Sequence, residues 1–234
     1  SQARAGASNN GASKIGESKG KPRAAIDNVA ETAEAFDPID LGLVKRSFWH
    51  SVPLCATDPV DGKWTGAFHF VCEMSKYSRV VREVDTMSPW NPIKPKRSGQ
   101  GGVVRLRRPL LFNHGAFPRT WLSPSTTFLG LGWGDNDQLD CVEIGLRAIP
   151  AGGIRRVKIL GILTISRPNK VDEEELQAEF KMIAIDESDR WASELYSLQD
   201  VEKLRPGLLH RIRFWFLNEE REVEEIEEEE EEEV

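Results

Sequence analysis

Short segments of alternating or β-branched character occupy the middle of the chain and predict a β-sheet. Glycine, proline, asparagine and aspartate separate these segments and predict the turns between the strands. The five segments of strand length are 66–73, 79–84, 102–107, 157–165 and 180–185. The charged, proline-containing stretch 167–179 predicts a loop, or a loop with one helical turn, between the last two strands.

The period of the apolar positions changes to that of a helix beyond Asp186. Ser197 is placed to cap a short helix that runs to Leu204, and Pro206 opens a second helix. One face of the second helix carries Leu209, Ile212, Trp215 and Phe216. Strands followed by helices are typical of an α+β domain built around a small barrel.

The two ends of the chain differ from its middle in composition. Residues 1–25 contain almost no large apolar side chains, so on their own they are expected to be disordered. A short amphipathic helix, docked on the domain or on a partner, is predicted from the helical spacing of Ile26, Val29, Ala33 and Phe36. We therefore predict an N-terminal extension over 1–47, one folded domain over 48–218 and an acidic tail over 219–234.

The net charge of −7 comes from the end of the chain, because nine of the last eleven residues are glutamates. Without those nine the net charge is +2, so direct nucleic-acid binding through a large uniform basic surface is not expected. The acidic tail either keeps the protein in solution or meets a basic surface of another subunit. No stretch approaches the roughly 20 apolar residues that a membrane-spanning helix needs.

The three cysteines and the N-terminal residues indicate the cellular compartment of the protein. Cys55, Cys72 and Cys141 form no CxxC pair, and we expect all three to be buried in a reducing compartment. The chain begins with Ser1, and its first 30 residues contain five basic and two acidic side chains. This composition favours an N-terminus processed on import into a mitochondrion or plastid; an artificial boundary of a cytoplasmic protein is the alternative.

Three carboxylates lie within six residues in the run G-D-N-D-Q-L-D at 134–140. Asp135, Asp137 and Asp140 would repel one another if they converged without a counter-charge. A hard divalent cation with oxygen ligands would neutralise them, whereas a solvated acidic loop is the alternative interpretation.

This run, followed by E-I-G, resembles the D-x-D-P-x-D signature of the family I soluble inorganic pyrophosphatases. Four further segments resemble that family in the same order: 115–121 (G-A-F-P-R-T-W), 157–162 (V-K-I-L-G-I), 180–186 (F-K-M-I-A-I-D) and 200–209. The resemblance implies a five-stranded OB-like β-barrel with flanking C-terminal helices. It also implies hydrolysis of diphosphate to orthophosphate with several Mg²⁺ ions.

Site roles follow from the resemblance, position by position. It implies metal ligands at Asp135, Asp140, Glu83 and Glu179. It implies that Asp137 is the catalytic base and that Glu73 belongs to the catalytic set. It implies phosphate contacts from Arg105 and Lys181.

Several phosphate-holding positions depart from the family pattern. Val81 stands where the family has a phosphate-binding lysine, and His114 where it has a tyrosine. Arg167 falls where an aspartate ligand is expected, although a shifted alignment would give that role to Asp172. A Tyr-Lys pair is replaced by Glu219 and Glu220. Because each lost charge-assisted contact weakens transition-state binding, we expect efficient turnover to be abolished.

We therefore predict a catalytically impaired, pyrophosphatase-like structural subunit of a larger organellar assembly, with other protein subunits as partners. An active Mg²⁺-dependent diphosphatase is the alternative. A third, weaker hypothesis is a sensor that binds diphosphate or a nucleotide without hydrolysis. The Asp135, Asp137 and Asp140 cluster could then hold a single residual Mg²⁺.

Overall fold

The computed structural model describes residues 39–40, 45–169, 174–219 and 223–226. The helix predicted near Phe36, the alternative ligand Asp172 and Glu220 lie outside the described residues. The same holds for most of the predicted N-terminal extension and acidic tail.

The described chain is mostly β-sheet, with two short helices near its C-terminal end. The strands are β1 (Ile39–Asp40), β2 (Lys45–Arg46), β3 (Cys55–Thr57), β4 (Trp64–Met74), β5 (Arg82–Val84), β6 (Ile93–Pro95), β7 (Val103–Leu106), β8 (Asn113–Ala116), β9 (Thr127–Phe128), β10 (Gly132–Trp133), β11 (Asp140–Glu143), β12 (Ile154–Pro168), β13 (Leu176–Asp186) and β14 (Val223–Ile226). The helices are α1 (Leu198–Leu204) and α2 (Leu208–Phe214), and one π-helical turn, Trp215–Glu219, continues α2.

Eight strands form the main sheet. Seven of them follow the order β11-β8-β4-β12-β13-β10-β9, and β3 pairs with β4 at the side. β11 also pairs with β13 in parallel, as β10 does, whereas the other pairings in this sheet are antiparallel. Three two-stranded ribbons, β1-β2, β5-β6 and β7-β14, complete the described strands.

The hairpin β12-β13 is longer than the sequence predicts. Its ladder continues to the pair Pro168 and Leu176, so the loop predicted over 167–179 is wrong at both ends. The apolar runs stop earlier because the end of the hairpin is only partly covered, and backbone hydrogen bonds extend the ladder without apolar side chains. Pro168 is tolerated because it is the last residue of its strand.

The helices pack on the sheet and close the largest apolar cluster of the described chain. Ser197 caps α1 as predicted, since its hydroxyl oxygen accepts a hydrogen bond from the Asp200 amide at 3.3 Å. The π-helical turn after α2 keeps Trp215 and Phe216 buried, where both rings contact Phe112. Phe216 thereby reaches Lys181 with its ring and Arg167 with its backbone carbonyl.

The prediction for the cysteines is wrong at one position. Cys72 and Cys141 are buried, but Cys55 is exposed. β3 lies at the side of the main sheet, so its residues alternate between the protein and solvent, and Ala56 takes the inward position. Among the described residues, no helix combines the length and apolar character that crossing a membrane requires.

Candidate active site

A cleft of about 1150 Å³ is lined by residues of the main sheet and of the β5-β6 ribbon. Seven of the eight site residues predicted from the sequence line it: Glu73, Glu83, Asp135, Asp137, Asp140, Glu179 and Lys181. Arg105 is not among the lining residues, and its predicted phosphate contact stays a prediction. The cleft thus brings together carboxylates that are up to 106 positions apart in the chain.

The loop that carries Asp135 and Asp137 is held against the segment at Leu122. The Leu122 amide donates to the Asp137 carbonyl at 2.8 Å, and the Asn136 amide donates to the Leu122 carbonyl at 2.9 Å. Asn136 adopts a left-handed backbone with φ of 64°, which asparagine tolerates better than most residues. At Gly134 a Cβ atom would lie 2.5 Å from the Leu122 carbonyl oxygen, so only glycine permits this close approach.

Strand register places Asp140 beside Lys181. The two residues are partners in the parallel pairing of β11 with β13. The Lys181 Nζ lies 2.5 Å from Asp140 Oδ2 and 3.2 Å from Glu179 Oε2, and only 6% of the Lys181 side chain is exposed. The ammonium also lies 5.1 Å from the centre of the Phe216 ring. Lys181 therefore neutralises part of the carboxylate cluster from within.

Glu73 is oriented by the close approach of β4 and β8. A Cβ atom at Gly115 would lie 2.0 Å from the Val71 carbonyl oxygen and 2.8 Å from the Glu73 nitrogen. The register of these strands shifts between Cys72 and Met74, an irregularity of the kind that re-aims a side chain. Glu73 Oε1 accepts a hydrogen bond from the Val84 amide at 2.9 Å, which ties the carboxylate to the β5-β6 ribbon.

Arg167 places a second fixed cation in the cluster. Its Nε lies 3.4 Å from Glu179 Oε1, and its Nη2 donates to the Phe216 carbonyl at 2.7 Å. The Arg167 and Glu179 side chains are only 15% and 16% exposed, so water screens this ion pair weakly. Glu179 lies between two cations, Arg167 and Lys181. Its predicted role as a metal ligand stays a prediction.

Comparison with known proteins decides the family. The sequence model described as "Inorganic pyrophosphatase" matches residues 70–233, which is well over half of the chain. The chain belongs to the inorganic pyrophosphatase family. This confirms the resemblance drawn from the sequence motifs.

Curated relatives and solved structures agree with this membership. The chain is 36% identical over 177 residues to "Soluble inorganic pyrophosphatase 1, chloroplastic" of Chlamydomonas reinhardtii, covering 75% of this chain and 58% of that protein. It is 36% identical over 173 residues to the mouse "Inorganic pyrophosphatase", covering 72% of this chain and 55% of that protein. The chain thus spans little more than half the length of either relative.

Among solved structures, the type I inorganic pyrophosphatase of Toxoplasma gondii superposes with a TM-score of 0.65 at 31% identity, covering 77% of both chains. The N-terminally truncated vacuolar soluble pyrophosphatase of Trypanosoma cruzi, solved in complex with PPi, gives a TM-score of 0.66 at 32% identity, covering 74% of this chain and 65% of that one. The predicted sheet with C-terminal helices is therefore confirmed at the level of architecture.

Inorganic pyrophosphatases of this family depend on metal ions, generally Mg²⁺. In this chain, burial raises the pKa of Glu73 well above its ordinary value, and the nearby Asp140 and Asp137 carboxylates add to the shift. Burial also raises the pKa of Asp135 to about 6. Although Asp137 is exposed, the walls of the cleft desolvate its carboxyl group, which raises its pKa as well.

Glu73, Asp135 and Asp137 thus place three desolvated carboxyl groups in the cleft, and their oxygen atoms fit a hard divalent cation. Burial raises the pKa of Asp140 too, although Lys181 opposes the shift. Within the described part of the chain, no three carboxylate, histidine or cysteine side chains converge closely enough to form a ready-made metal centre. A cation would therefore have to draw these side chains together.

The departures from the family pattern also lie at the cleft. Val81 and His114 both line it. His114 is buried, and its Nε2 lies 3.7 Å from Asp140 Oδ1. The apolar Val81 side chain offers no hydrogen bond to a phosphate. Of the two tail positions, only the backbone of Glu219 is described.

The structure adds cations that the motif comparison missed. The additional basic residues that line the cleft are Arg82, Lys94, Lys96 and Arg97, all on or next to the β5-β6 ribbon. Two of them form ion pairs there, Lys96 with Glu83 at 2.8 Å and Lys94 with Asp85 at 2.7 Å. The signal in the sequence was the basic run K-P-K-R at 94–97. Its relevance depended on the register of the ribbon, which no motif specifies.

Proposed function

We propose that this protein is an inorganic pyrophosphatase homologue whose hydrolysis of diphosphate is strongly impaired. The observation that carries the proposal is the Arg167 guanidinium beside Glu179 at 3.4 Å, in the same cluster as Lys181. Hydrolysis that relies on several metal ions needs carboxylates free to collect them. A permanent guanidinium charge in that place disfavours the binding of a second cation.

The other side of the cluster retains its ligands. Glu73, Asp135 and Asp137, together with Asp140, would hold a single divalent cation, Mg²⁺ in this family. Such a cation would neutralise the charge of the phosphoryl oxygens. Asp137 lines the cleft, and desolvation raises its carboxyl pKa, which makes it a stronger proton acceptor than an ordinary aspartate. The proposal is therefore a cleft that still binds diphosphate but turns it over slowly.

Orthophosphate release by the purified full chain tests this proposal. With saturating Mg²⁺ and a series of diphosphate concentrations, we expect kcat/KM at least about 100-fold below that of the mouse inorganic pyrophosphatase assayed in parallel, roughly 2.7 kcal/mol of lost transition-state stabilisation. Turnover within tenfold of the mouse enzyme would sink the proposal. It would favour the alternative of an active diphosphatase, for which the additional cations at 82 and 94–97 would supply relocated phosphate contacts.

We further propose that five strands of the main sheet form the OB-like barrel predicted from the sequence. β11, β8, β4, β12 and β13 pair in this order, and the pairing of β11 with β13 gives each strand two neighbours. A ring of pairings is the requirement for closure. An experimental structure in which β11 does not pair with β13 would contradict this proposal.

The predicted role as a subunit of an organellar assembly is also a proposal. It is supported by the composition of the two ends of the chain, which carry a basic excess and a run of glutamates respectively. Native electrophoresis of an extract from the source cells, probed for this chain, should show it in a complex much larger than a dimer. Migration of the whole population as a monomer or dimer would contradict the proposal.

A further inference from the structure

We propose that Lys96 is a phosphate-binding residue of the cleft, acting from the strand opposite Val81. This inference rests on the proposed function in one respect only, that the cleft takes diphosphate.

Extended by one residue, the register of the ribbon places Lys96 opposite Val81. In the antiparallel pairing of β5 with β6, Arg82 is the partner of Pro95 and Glu83 is the partner of Lys94. One step beyond the ribbon's assigned end, the Lys96 amide donates to the Val81 carbonyl at 2.8 Å. Residues opposite each other in an antiparallel pair project to the same face. Both Lys96 and Val81 line the cleft, as does Glu83.

The Lys96 side chain is long enough to reach the part of the cleft beside Val81. Cβ atoms of directly opposed residues lie about 4.5–5.5 Å apart, which is less than the reach of an extended lysine side chain. The Lys96 Nζ in fact lies 2.8 Å from Glu83 Oε2, so the stem already runs along the cleft wall. An ammonium at position 96 can therefore approach the same ligand atoms as one at position 81.

Of the cleft lysines, Lys96 has the partner that is most easily exchanged. Its ion pair with Glu83 is half exposed, at 49% and 53% of the two side chains, so it is weak. Lys94 is held more firmly, because its ammonium lies 2.7 Å from both Asp85 Oδ2 and Ser88 Oγ. Lys181 lies between two carboxylates and is almost fully buried. A phosphate oxygen can replace Glu83 at Lys96 without breaking a buried network.

The chemistry of the ligand favours this exchange. Diphosphate enters such a cleft with a divalent cation, and Glu83 is one of the carboxylates that line the cleft near the candidate cation ligands. If Glu83 held such a cation, its ion pair with Lys96 would be released, and the Lys96 ammonium would donate a charge-assisted hydrogen bond to a phosphate oxygen instead. Lys96 thus pairs with a carboxylate of the cleft in this structure and is available to a phosphate group when the ligand binds.

Calorimetric titration with Mg²⁺ and methylenediphosphonate, a diphosphate analogue that is not hydrolysed, tests the inference. We expect Lys96→Met to weaken binding at least tenfold. Lys63→Met is the matched control, because Lys63 also forms a surface ion pair, with Asp61 at 2.8 Å, and does not line the cleft. Its affinity should equal that of the wild type. The double variant Val81→Lys with Lys96→Met should restore binding to within about threefold.

The outcomes separate this inference from the proposed function. If the wild type binds and Lys96→Met binds equally well, the inference is wrong and the proposed function stands. If Lys96→Met weakens binding but Val81→Lys does not restore it, direct phosphate contact by Lys96 is overturned. A wild type without measurable binding at millimolar analogue would overturn both. Lys96→Gln, which retains a polar side chain of similar length, replaces Lys96→Met if the latter does not fold.

Discussion

At the scale of single residues, the cluster combines too little positive charge on one side with fixed positive charge on the other. Glu73, Asp135 and Asp137 have raised pKa values because burial desolvates them. Asp140, whose pKa burial also raises, and Glu179 contact the Lys181 ammonium. Glu73, Asp135 and Asp137 can therefore bind a cation, whereas Asp140 and Glu179 already contact the Lys181 ammonium.

Replacing Arg167 with aspartate should raise the residual rate of diphosphate hydrolysis at least tenfold. The change removes the guanidinium charge beside Glu179 and adds an oxygen ligand, so a second cation can bind. Initial rates of orthophosphate release across a Mg²⁺ series measure the effect. Arg156→Asp is the control, because Arg156 lies on the same strand but forms an exposed ion pair with Glu187, which does not line the cleft, whereas the Arg167 partner Glu179 does. An unchanged rate in Arg167→Asp would show that this guanidinium does not limit turnover.

The raised pKa of Asp135 predicts a specific pH dependence of stability. Its ordinary value of 3.8 is raised to about 6 in the folded chain, chiefly by burial. Below pH 3.8 the carboxyl is protonated in both states, but as the pH rises to about 6 only the unfolded chain releases the proton readily. The folded state therefore loses stability over this window. In metal-free buffer, Asp135→Asn should melt several degrees higher than the wild type at pH 7 and equally at pH 4.

Asp61→Asn provides the control for that measurement. The pKa of Asp61 is lowered by its hydrogen bond from Lys63, so this exposed carboxylate has no desolvation to relieve. Its substitution should not raise the melting temperature at pH 7. Parallel melting curves of Asp135→Asn and the wild type from pH 4 to 7 would contradict the prediction.

At the scale of elements, the site depends on two close approaches of the backbone. The Asp135 loop lies against Leu122 because residue 134 is glycine, and β8 lies against β4 because residue 115 is glycine. The start of helix α1, in contrast, is fixed locally by the cap at Ser197. The loop that carries Asp135 and the strand that carries Glu73 are thus positioned by contacts with residues distant in the sequence.

Alanine at Gly115 should destabilise the fold by about 3 kcal/mol, since its Cβ would overlap the Val71 carbonyl oxygen and the two strands would have to separate. Urea denaturation followed by tryptophan fluorescence measures the change. Gly99→Ala is the matched control, because nothing lies within 4 Å of a Cβ atom at that glycine. Equal midpoints for the two variants would contradict the close approach of β4 and β8.

At the scale of the whole molecule, binding a cation should stabilise the folded chain as a unit. A ligand that binds the folded state at 100 times its dissociation constant adds about 2.7 kcal/mol to the free energy of unfolding. We expect 5 mM Mg²⁺ at pH 7 to raise the melting temperature of the wild type by at least 2 °C. The double variant Asp135→Asn with Asp137→Asn should lose this shift.

A second double variant, Asp58→Asn with Asp61→Asn, removes two carboxylates from an exposed turn that does not line the cleft. It should keep the Mg²⁺ shift of the wild type. Loss of the shift in both double variants, or in neither, would show that the stabilisation does not come from the cleft.

The sequence by itself determined the features that depend on neighbours along the chain. The motif order was sufficient for the family, and Ser197 was sufficient for the start of α1. The apolar pattern was sufficient for five strands, β4, β5, β7, β12 and β13. Asp135, Asp137 and Asp140 could be recognised together because only six positions contain all three. The site roles of the seven predicted residues that line the cleft were taken from the family resemblance. Their positions far apart in the chain do not by themselves indicate that they meet.

Only the tertiary structure decided the features that depend on register and on the side of the sheet. The length of the β12-β13 hairpin brings Arg167 to Glu179, the ribbon register places Lys96 opposite Val81, and the position of β3 exposes Cys55. A shift of one residue in the β12-β13 pairing or in the β5-β6 pairing would turn the side chains of the shifted strand to the other face of the sheet. Hydrogen bonds between strands set that register, and no local sequence pattern contains them.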